Sequence, residues 1–356
     1  MATIDEQISD IEKEIRETPY HKGTEHHIGL LRAKLSKLRA KLEAAPLRRG
    51  SGGGAGYAVR KQGDATVVLV GPPSVGKSTL INKLTNAQSR VAPYAFTTVS
   101  VIPGMMEYKE ARIQILDVPG LIKGAEEGKG RGREVLSVIR GCDLLILITD
   151  VDDLEAFERI EKTLYSNGVR INQNKPDVAI EKKLSGGVVV HTNLKQEIGK
   201  ETIKAVAGEF GYKNAEVTIN EKLTMNRLID SFAPNRVYVP ALRVVNKVDM
   251  LKGSKNSGYV YISAERDVNL DVLREAIWEK LGFMTVYLVR PEAEPSNDNP
   301  IIVRKGTKLV ELAMLIGSEF AEGKEGARIW ASGAKYPGQL VSLSLEAKDG
   351  MQIRFV

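Results

Sequence analysis

A single cysteine, Cys142, stands among 356 residues, which excludes an intrachain disulfide framework and makes a reducing compartment, the cytoplasm, the expected setting. No apolar run approaches the ~18 residues that a membrane-crossing helix needs. Runs such as Leu144 to Ile148 reach no more than five residues, and the acidic opening MATIDEQISD lacks the basic and apolar regions of a signal peptide, so no membrane partner is expected. Prolines number 14 against 33 glycines, with no Gly-X-Y period, which excludes a collagen-like chain. Charge of one sign is also scarce: the net balance is +6, concentrated in residues 28–49, where Arg32, Lys34, Lys37, Arg39, Lys41, Arg48 and Arg49 face only Glu43. The last 67 residues carry nine basic and nine acidic side chains, so attraction to a polyanion would come mainly from the N-terminal arm.

What is present is apolar enough to fold, at 42% hydrophobic and 27% charged residues. At ~100–200 residues per domain, two to four cores are expected. Ile4, Ile8, Ile11 and Ile15, then Ile28, Leu31, Leu35, Leu38 and Leu42, recur at spacings of three and four, which predicts two amphipathic helices forming a hairpin. Pro19 ends the first, and Thr24 is placed to cap the second. RRGSGGGAG at 48–56 reads as a flexible joint.

From Thr66 to about Leu288 the pattern becomes strand, glycine turn, helix. ATVVLVG, RIQILDV, DLLILITDV, ALRVVNKVD and GYVYISA read as buried parallel strands of a doubly wound α/β sheet, which binds ligands at its strand C-termini. Residues 166–234 break the rhythm. A structureless loop of that length is improbable in a compact domain, so an inserted α+β subdomain is expected. After Phe283, the order strand, strand, helix, strand, strand suggests a small β-grasp-like domain. Cys142 is expected to begin a buried strand, and Trp278 and Trp330 to pack in cores.

Four ordered motifs carry chemistry. Gly71-Pro72-Pro73-Ser74-Val75-Gly76-Lys77-Ser78, followed by Thr79, lies between a strand and a helix and matches the P-loop pattern. Inward-turned N–H groups and the helix dipole suit phosphate there, Lys77 reaches the terminal phosphates, and the Ser78 hydroxyl suits Mg2+. Asp117-Val118-Pro119-Gly120 follows the strand RIQIL; Asp117 suits the Mg2+ shell and the Gly120 N–H suits the γ-phosphate. Asn246-Lys247-Val248-Asp249 sets the base: the Asp249 carboxylate can accept two N–H donors from guanine, whereas adenine offers no such pair. Asn246 would brace the loop and the Lys247 stem would cover the base. Ile262-Ser263-Ala264 then supplies backbone N–H groups, from Ser263 and Ala264, for the guanine carbonyl oxygen. GTP and GDP are the expected ligands.

The order GPPSVGKS, FTT, DVPG, NKVD, ISA resembles the translation-factor-related GTP-binding proteins. TEHHIGLLRAKLSKLRAKL, GSGGGAGYAVRKQGDA, VAPYAFTTVSVIPGMMEY and LIKGAEEGKGRGREVLSVIRGCD narrow the likeness to the archaeal branch of the developmentally regulated GTP-binding (DRG) family, over almost the whole chain. The resemblance implies a helix-turn-helix-like hairpin at 1–50, a G domain at 51–165 and 235–284, a ribosomal-S5-domain-2-like insertion at 166–234, and a TGS domain at 285–356. It also selects Thr98, rather than Thr97, as a switch residue contacting Mg2+ and the γ-phosphate. Lys77, Thr98 and Gly120 are thus the expected catalytic positions, and Ser78, Thr98 and Asp117 the expected metal positions.

Leu121 follows the Asp-x-x-Gly motif and can neither orient nor polarise water, so slow intrinsic turnover is expected, to be raised by a partner, a monovalent cation or a reorganised switch. Potassium-using relatives often carry asparagine where Ser74 stands, which leaves dependence on K+ open. Five glycines between Gly120 and Gly132 favour a segment whose ordering a γ-phosphate could control. Two functional classes follow: a GTP-gated factor acting on ribosomes or structured RNA, or a GTP-gated switch that binds only proteins, including a regulatory partner.

Overall fold

The computed structural model describes residues 3–44, 62–85, 102–117, 138–251, 253–254 and 256–356. The glycine-rich joint, the FTT segment with Thr97 and Thr98, and the glycine-rich segment from Val118 with Gly120 and Leu121 lie outside the described residues. In chain order the helices that lie wholly within the described residues are α1 (Ile4–Glu17), α2 (Glu25–Ala44), α3 (Lys77–Leu84), α4 (Ala156–Ser166), α5 (Lys200–Glu209), α6 (Met225–Phe232), α7 (Leu270–Leu281), α8 (Leu309–Ile316) and α9 (Ser318–Glu322). The strands are β1 (Ala65–Val70), β2 (Ile102–Tyr108), β3 (Ala111–Asp117), β4 (Leu144–Asp150), β5 (Val169–Ile171), β6 (Val178–Lys182), β7 (Val188–Thr192), β8 (Ala215–Ile219), β9 (Val237–Val239), β10 (Ala241–Asn246), β11 (Val260–Tyr261), β12 (Phe283–Leu288), β13 (Pro300–Arg304), β14 (Ala327–Ala331), β15 (Gln339–Val341) and β16 (Met351–Phe355). The chain divides into two compact units, Met1–Ala55 with Leu164–Tyr238, and Gly56–Thr163 with Val239–Val356.

The second unit is built on a six-stranded sheet in the order β11-β10-β4-β1-β3-β2. All neighbours pair in parallel except β2, which runs antiparallel to β3. Every residue of β1 is buried, as expected for a central strand covered on both faces. β2 was not among the strands read from sequence, because it holds Pro103 and Gly104. At a sheet edge a proline forfeits no ladder bond that a further strand would need. Gly104 also permits close packing: a Cβ there would sit 2.5 Å from the Thr85 Cγ2 of the neighbouring helix end. The C-terminal part forms a five-stranded sheet, β13-β12-β16-β14-β15, with its own core around Val286, Leu312, Ile329 and Ile353. It contains one short edge strand, β15, beyond those expected. Cys142 lies half-buried in the turn ahead of β4, whose first residue is Leu144, so it does not begin the strand.

In the first unit, α1 opens with a capping box in which Thr3 Oγ1 accepts from the Glu6 N–H at 3.2 Å and Glu6 accepts from the Thr3 N–H at 2.7 Å. The Thr24 carbonyl accepts the first helical bond of α2, from the Ile28 N–H at 2.9 Å. The Thr24 hydroxyl turns back to the interhelical turn instead, donating to the Pro19 carbonyl at 2.6 Å. The insertion is a three-stranded sheet, β6-β8-β7, with α5 and α6. The hairpin and the insertion share one core: Ala33 of α2, fully buried, packs with Val206, Leu228 and Phe232. Gly29, one turn before Ala33, lies so close to the insertion that a Cβ would meet Met225 Cε at 3.0 Å. The signal for this packing was the small-residue pair Gly29 and Ala33, four apart on one face of α2.

Candidate functional site

The C-terminal ends of β1, β3, β4 and β10 bring the described motif residues together, and each loop has a local reason for its path. Gly71 leaves β1 against the neighbouring strand, where a Cβ would fall 2.1 Å from the Ile148 carbonyl oxygen. Ser74 and Gly76 both adopt left-handed backbone, with φ of 64° and 91°, which turns the loop before α3 begins at Lys77. At Gly76 any side chain would also strike Asn246, 2.5 Å away. Val75 is buried, while Pro73, Ser74, Ser78 and Thr79 are exposed at the mouth of the loop.

Lys77 folds over its own loop, its Nζ donating to the carbonyl oxygens of Gly71 at 3.1 Å and Pro72 at 2.8 Å. Burial lowers the pKa of this ammonium, against the opposing attraction of Asp117. Ser78 Oγ donates to Asp117 Oδ2 at 3.1 Å. The other carboxylate oxygen, Asp117 Oδ1, is buried without a hydrogen-bond partner among the described residues. Burial raises the Asp117 carboxyl, and Lys77 and Ser78 only partly counter that effect. A buried carboxylate with a free oxygen beside a serine hydroxyl is a hard-oxygen donor set, so the residues present fit Mg2+.

Asn246 ties two loops to each other. Its Nδ2 donates to the Val75 carbonyl in the phosphate loop at 2.8 Å, and its Oδ1 accepts from the Ala264 N–H at 2.9 Å. The Ser263 N–H is likewise engaged, by the Val268 carbonyl at 3.1 Å. These two amides, read from sequence as donors to a base, thus brace the loop in this structure. Lys247 takes left-handed backbone, φ 61°, and its Nζ pairs with Asp150 Oδ2 at 2.9 Å. Asp150 was missed by sequence reasoning; its signal was a carboxylate at the end of β4, in register with Asn246 on β10. Asp249 is exposed in the turn Val248–Met250, where a hydrogen bond from the Ser263 side chain holds its carboxyl below the usual range.

Residues 66–183 match the family model described as a 50S ribosome-binding GTPase, and residues 185–283 match the C-terminal region of that domain. The chain is 46% identical over 359 residues to an uncharacterized GTP-binding protein of Methanocaldococcus jannaschii, covering 98% of this chain and 91% of the relative. It is 39% identical over 358 residues to human developmentally-regulated GTP-binding protein 2, covering 98% of each. The chain belongs to the DRG family of GTP-binding proteins. It is therefore a GTPase, with a P-loop G domain built on the mixed sheet described above. Among solved structures, the YchF GTPase of Schizosaccharomyces pombe aligns over 83% of this chain and 99% of its own, at 14% identity and a TM-score of 0.45. Among the described residues of this DRG-family chain, no helix is long and apolar enough to cross a membrane.

Proposed function

We propose that GTP binds where these loops meet and is hydrolysed to GDP and phosphate, and that the nucleotide gates a role on ribosomes or structured RNA. The observation that carries the nucleotide reading is the buried, unpartnered Asp117 oxygen beside Ser78 and Lys77. In this reading residues 71–79 wrap the phosphates, and Lys77 exchanges the Gly71 and Pro72 carbonyls for phosphate oxygens. Ser78, Asp117 and Thr98 would hold Mg2+, which supplies positive charge to the phosphate oxygens when bound. The Gly120 N–H senses the γ-phosphate. Asp249 receives the guanine N–H pair, and the Asn246 brace fixes the phosphate loop to the Ser263-Ala264 loop.

With Leu121 at the position after Gly120, intrinsic hydrolysis is slow. Turnover of purified protein at several per second, without partner or potassium, would contradict this. Comparing rates in K+ and Na+ decides whether Ser74 allows cation activation. Segments 1–50, 166–234 and 285–356 then serve as helix-turn-helix-like, S5-domain-2-like and TGS modules of a cytoplasmic protein.

The description of the matched family model as ribosome-binding supports the ribosomal role. The test is co-sedimentation with ribosomes in GDP and in a non-hydrolysable GTP analogue at low and moderate salt. Analogue-dependent association that falls steeply with salt is expected, and equal pelleting with both nucleotides would overturn the gating. One observation favours the protein-only switch: much of the basic hairpin is engaged internally. Arg39 pairs with Glu12 at 2.6 Å, and Lys37 donates to the Glu209 carbonyl at 2.6 Å. Charge reversal at these positions would disturb the unit itself, so the discriminating reversal is confined to Lys34 and Lys41, which are exposed.

A further inference from the structure

The first unit contains a half-open cavity of about 180 Å3 that no nucleotide-binding motif touches. Four arginines line it, Arg32 and Arg39 of α2, Arg170 of β5 and Arg236 ahead of β9, against one acidic residue, Asp230 of α6. Both oxygens of that carboxylate are engaged. Arg170 grips it bidentately at 2.6 and 2.7 Å, and Arg236 Nε adds a third bond at 2.6 Å. Arg236 also reaches across to α2, donating to Ser36 Oγ at 2.7 Å. Arg39 has its own carboxylate in Glu12 and donates to the Ser166 carbonyl at 3.0 Å.

Arg32 is left with neutral company. Its Nη1 donates to Asn226 Oδ1 at 3.3 Å, and its guanidinium lies 5.9 Å from the centre of the Tyr20 ring. Among the described residues it forms no ion pair. A half-buried guanidinium in a concave wall, with cationic neighbours, the one lining carboxylate already held by two other arginines and no ion pair of its own among the described residues, is electrostatically incomplete. Its planar donor fork matches phosphate or carboxylate oxygens, and the buried Arg170–Asp230 pair holds the wall in shape.

We propose that this cavity is an anion site, distinct from the GTP site, that takes a phosphate monoester or diphosphate group, with Arg32 supplying the uncompensated charge. Two sources offer that chemistry, a free small phosphate and the 5′-phosphate end of an RNA. The test uses full-length protein saturated with Mg-GDP, so that the phosphate loop is filled. A failure of the nucleotide reading would appear separately, as failure to saturate with GDP. Inorganic phosphate and pyrophosphate are titrated calorimetrically, and one RNA oligonucleotide is compared with 5′-phosphate and 5′-hydroxyl ends by fluorescence anisotropy.

Arg32→Gln weakens the bound species at least tenfold, Arg32→Lys weakens it less because charge remains without the fork, and Lys34→Gln on the exposed face leaves it unchanged. Melting curves verify folding, and the Lys variant serves where the Gln variant is unstable. Arg32-dependent binding of pyrophosphate or phosphate identifies a free anion as the source. Arg32-dependent preference for the 5′-phosphorylated RNA identifies the RNA end. Absence of binding at millimolar concentration for every probe, or binding indifferent to both Arg32 variants, overturns the site.

Discussion

Asp117 in the G domain and Asp230 in the insertion are both buried, at 4% and 6% exposure, yet their surroundings differ in kind. Asp230 receives three hydrogen bonds from two arginines, one of which is itself buried. Asp117 receives one bond from a serine and, among the described residues, keeps a buried oxygen without a partner. A buried carboxylate with both oxygens bonded is settled as structure, whereas one with an unbonded oxygen stores a demand that a ligand can meet. The first unit shows the mirror image, since its surplus lies with the cation Arg32.

The comparison breaks hardest at Asp230. Replacing it with Ala strands the Arg170 and Arg236 guanidinium groups, and a buried pair broken from one side costs about 3–5 kcal/mol; chemical denaturation of the full chain should show that loss, while the Asp117 pair should tolerate substitution far better. Next, Lys77→Ala should reduce GTP hydrolysis by about a hundredfold or more, measured as phosphate release, with little effect on folding. A loss of stability without loss of rate would place Lys77 on the structural side of the comparison. Asp249→Asn should then cost at least about tenfold of the preference for GDP over ADP, read by calorimetry, since the exposed turn supports no core.

The smallest effect is a pH dependence. Burial raises the Asp117 carboxyl above its ordinary 3.8, so in nucleotide-free protein the folded state keeps a proton that the unfolded chain has lost. Stability contributed by this group therefore falls as the pH rises from 3.8 through the native value. Lys77, lowered from 10.5, acts oppositely: the unfolded chain holds the extra proton, so stability rises with pH between the native value and 10.5. Asp117→Asn should flatten the acid-side slope in denaturation curves taken across that range, and an unchanged slope would assign it to another group.

The G-domain sheet was largely legible because its strands are short apolar runs ending in motif residues, as in β1 and β4. The P-loop and Asn246 were legible because spelling and strand context agreed. β2 was hidden by Pro103 and Gly104, which local propensity scores against a strand although an edge accommodates them. The union of hairpin and insertion was hidden by distance along the chain: Lys37 meets Glu209, and Arg236 meets Ser36, across more than 170 residues. Only the Gly29 and Ala33 spacing hinted at it. The same basic residues that suggested a free polyanion-binding face are, at Lys37 and Arg39, spent on neighbours. The Arg170–Asp230 pair, 60 residues apart, had no periodic or motif signature.

The Asn246 amide carries one further implication. Because one short, rigid side chain clasps the backbones of two turns from distant parts of the chain, neither turn can shift without dragging the other. On the proposed nucleotide reading, recognition at one end of the bound molecule would be felt mechanically at its opposite end, and a mismatched purine would be disfavoured twice, once by its own lost contacts and again through the misshapen cradle left for the charged tail.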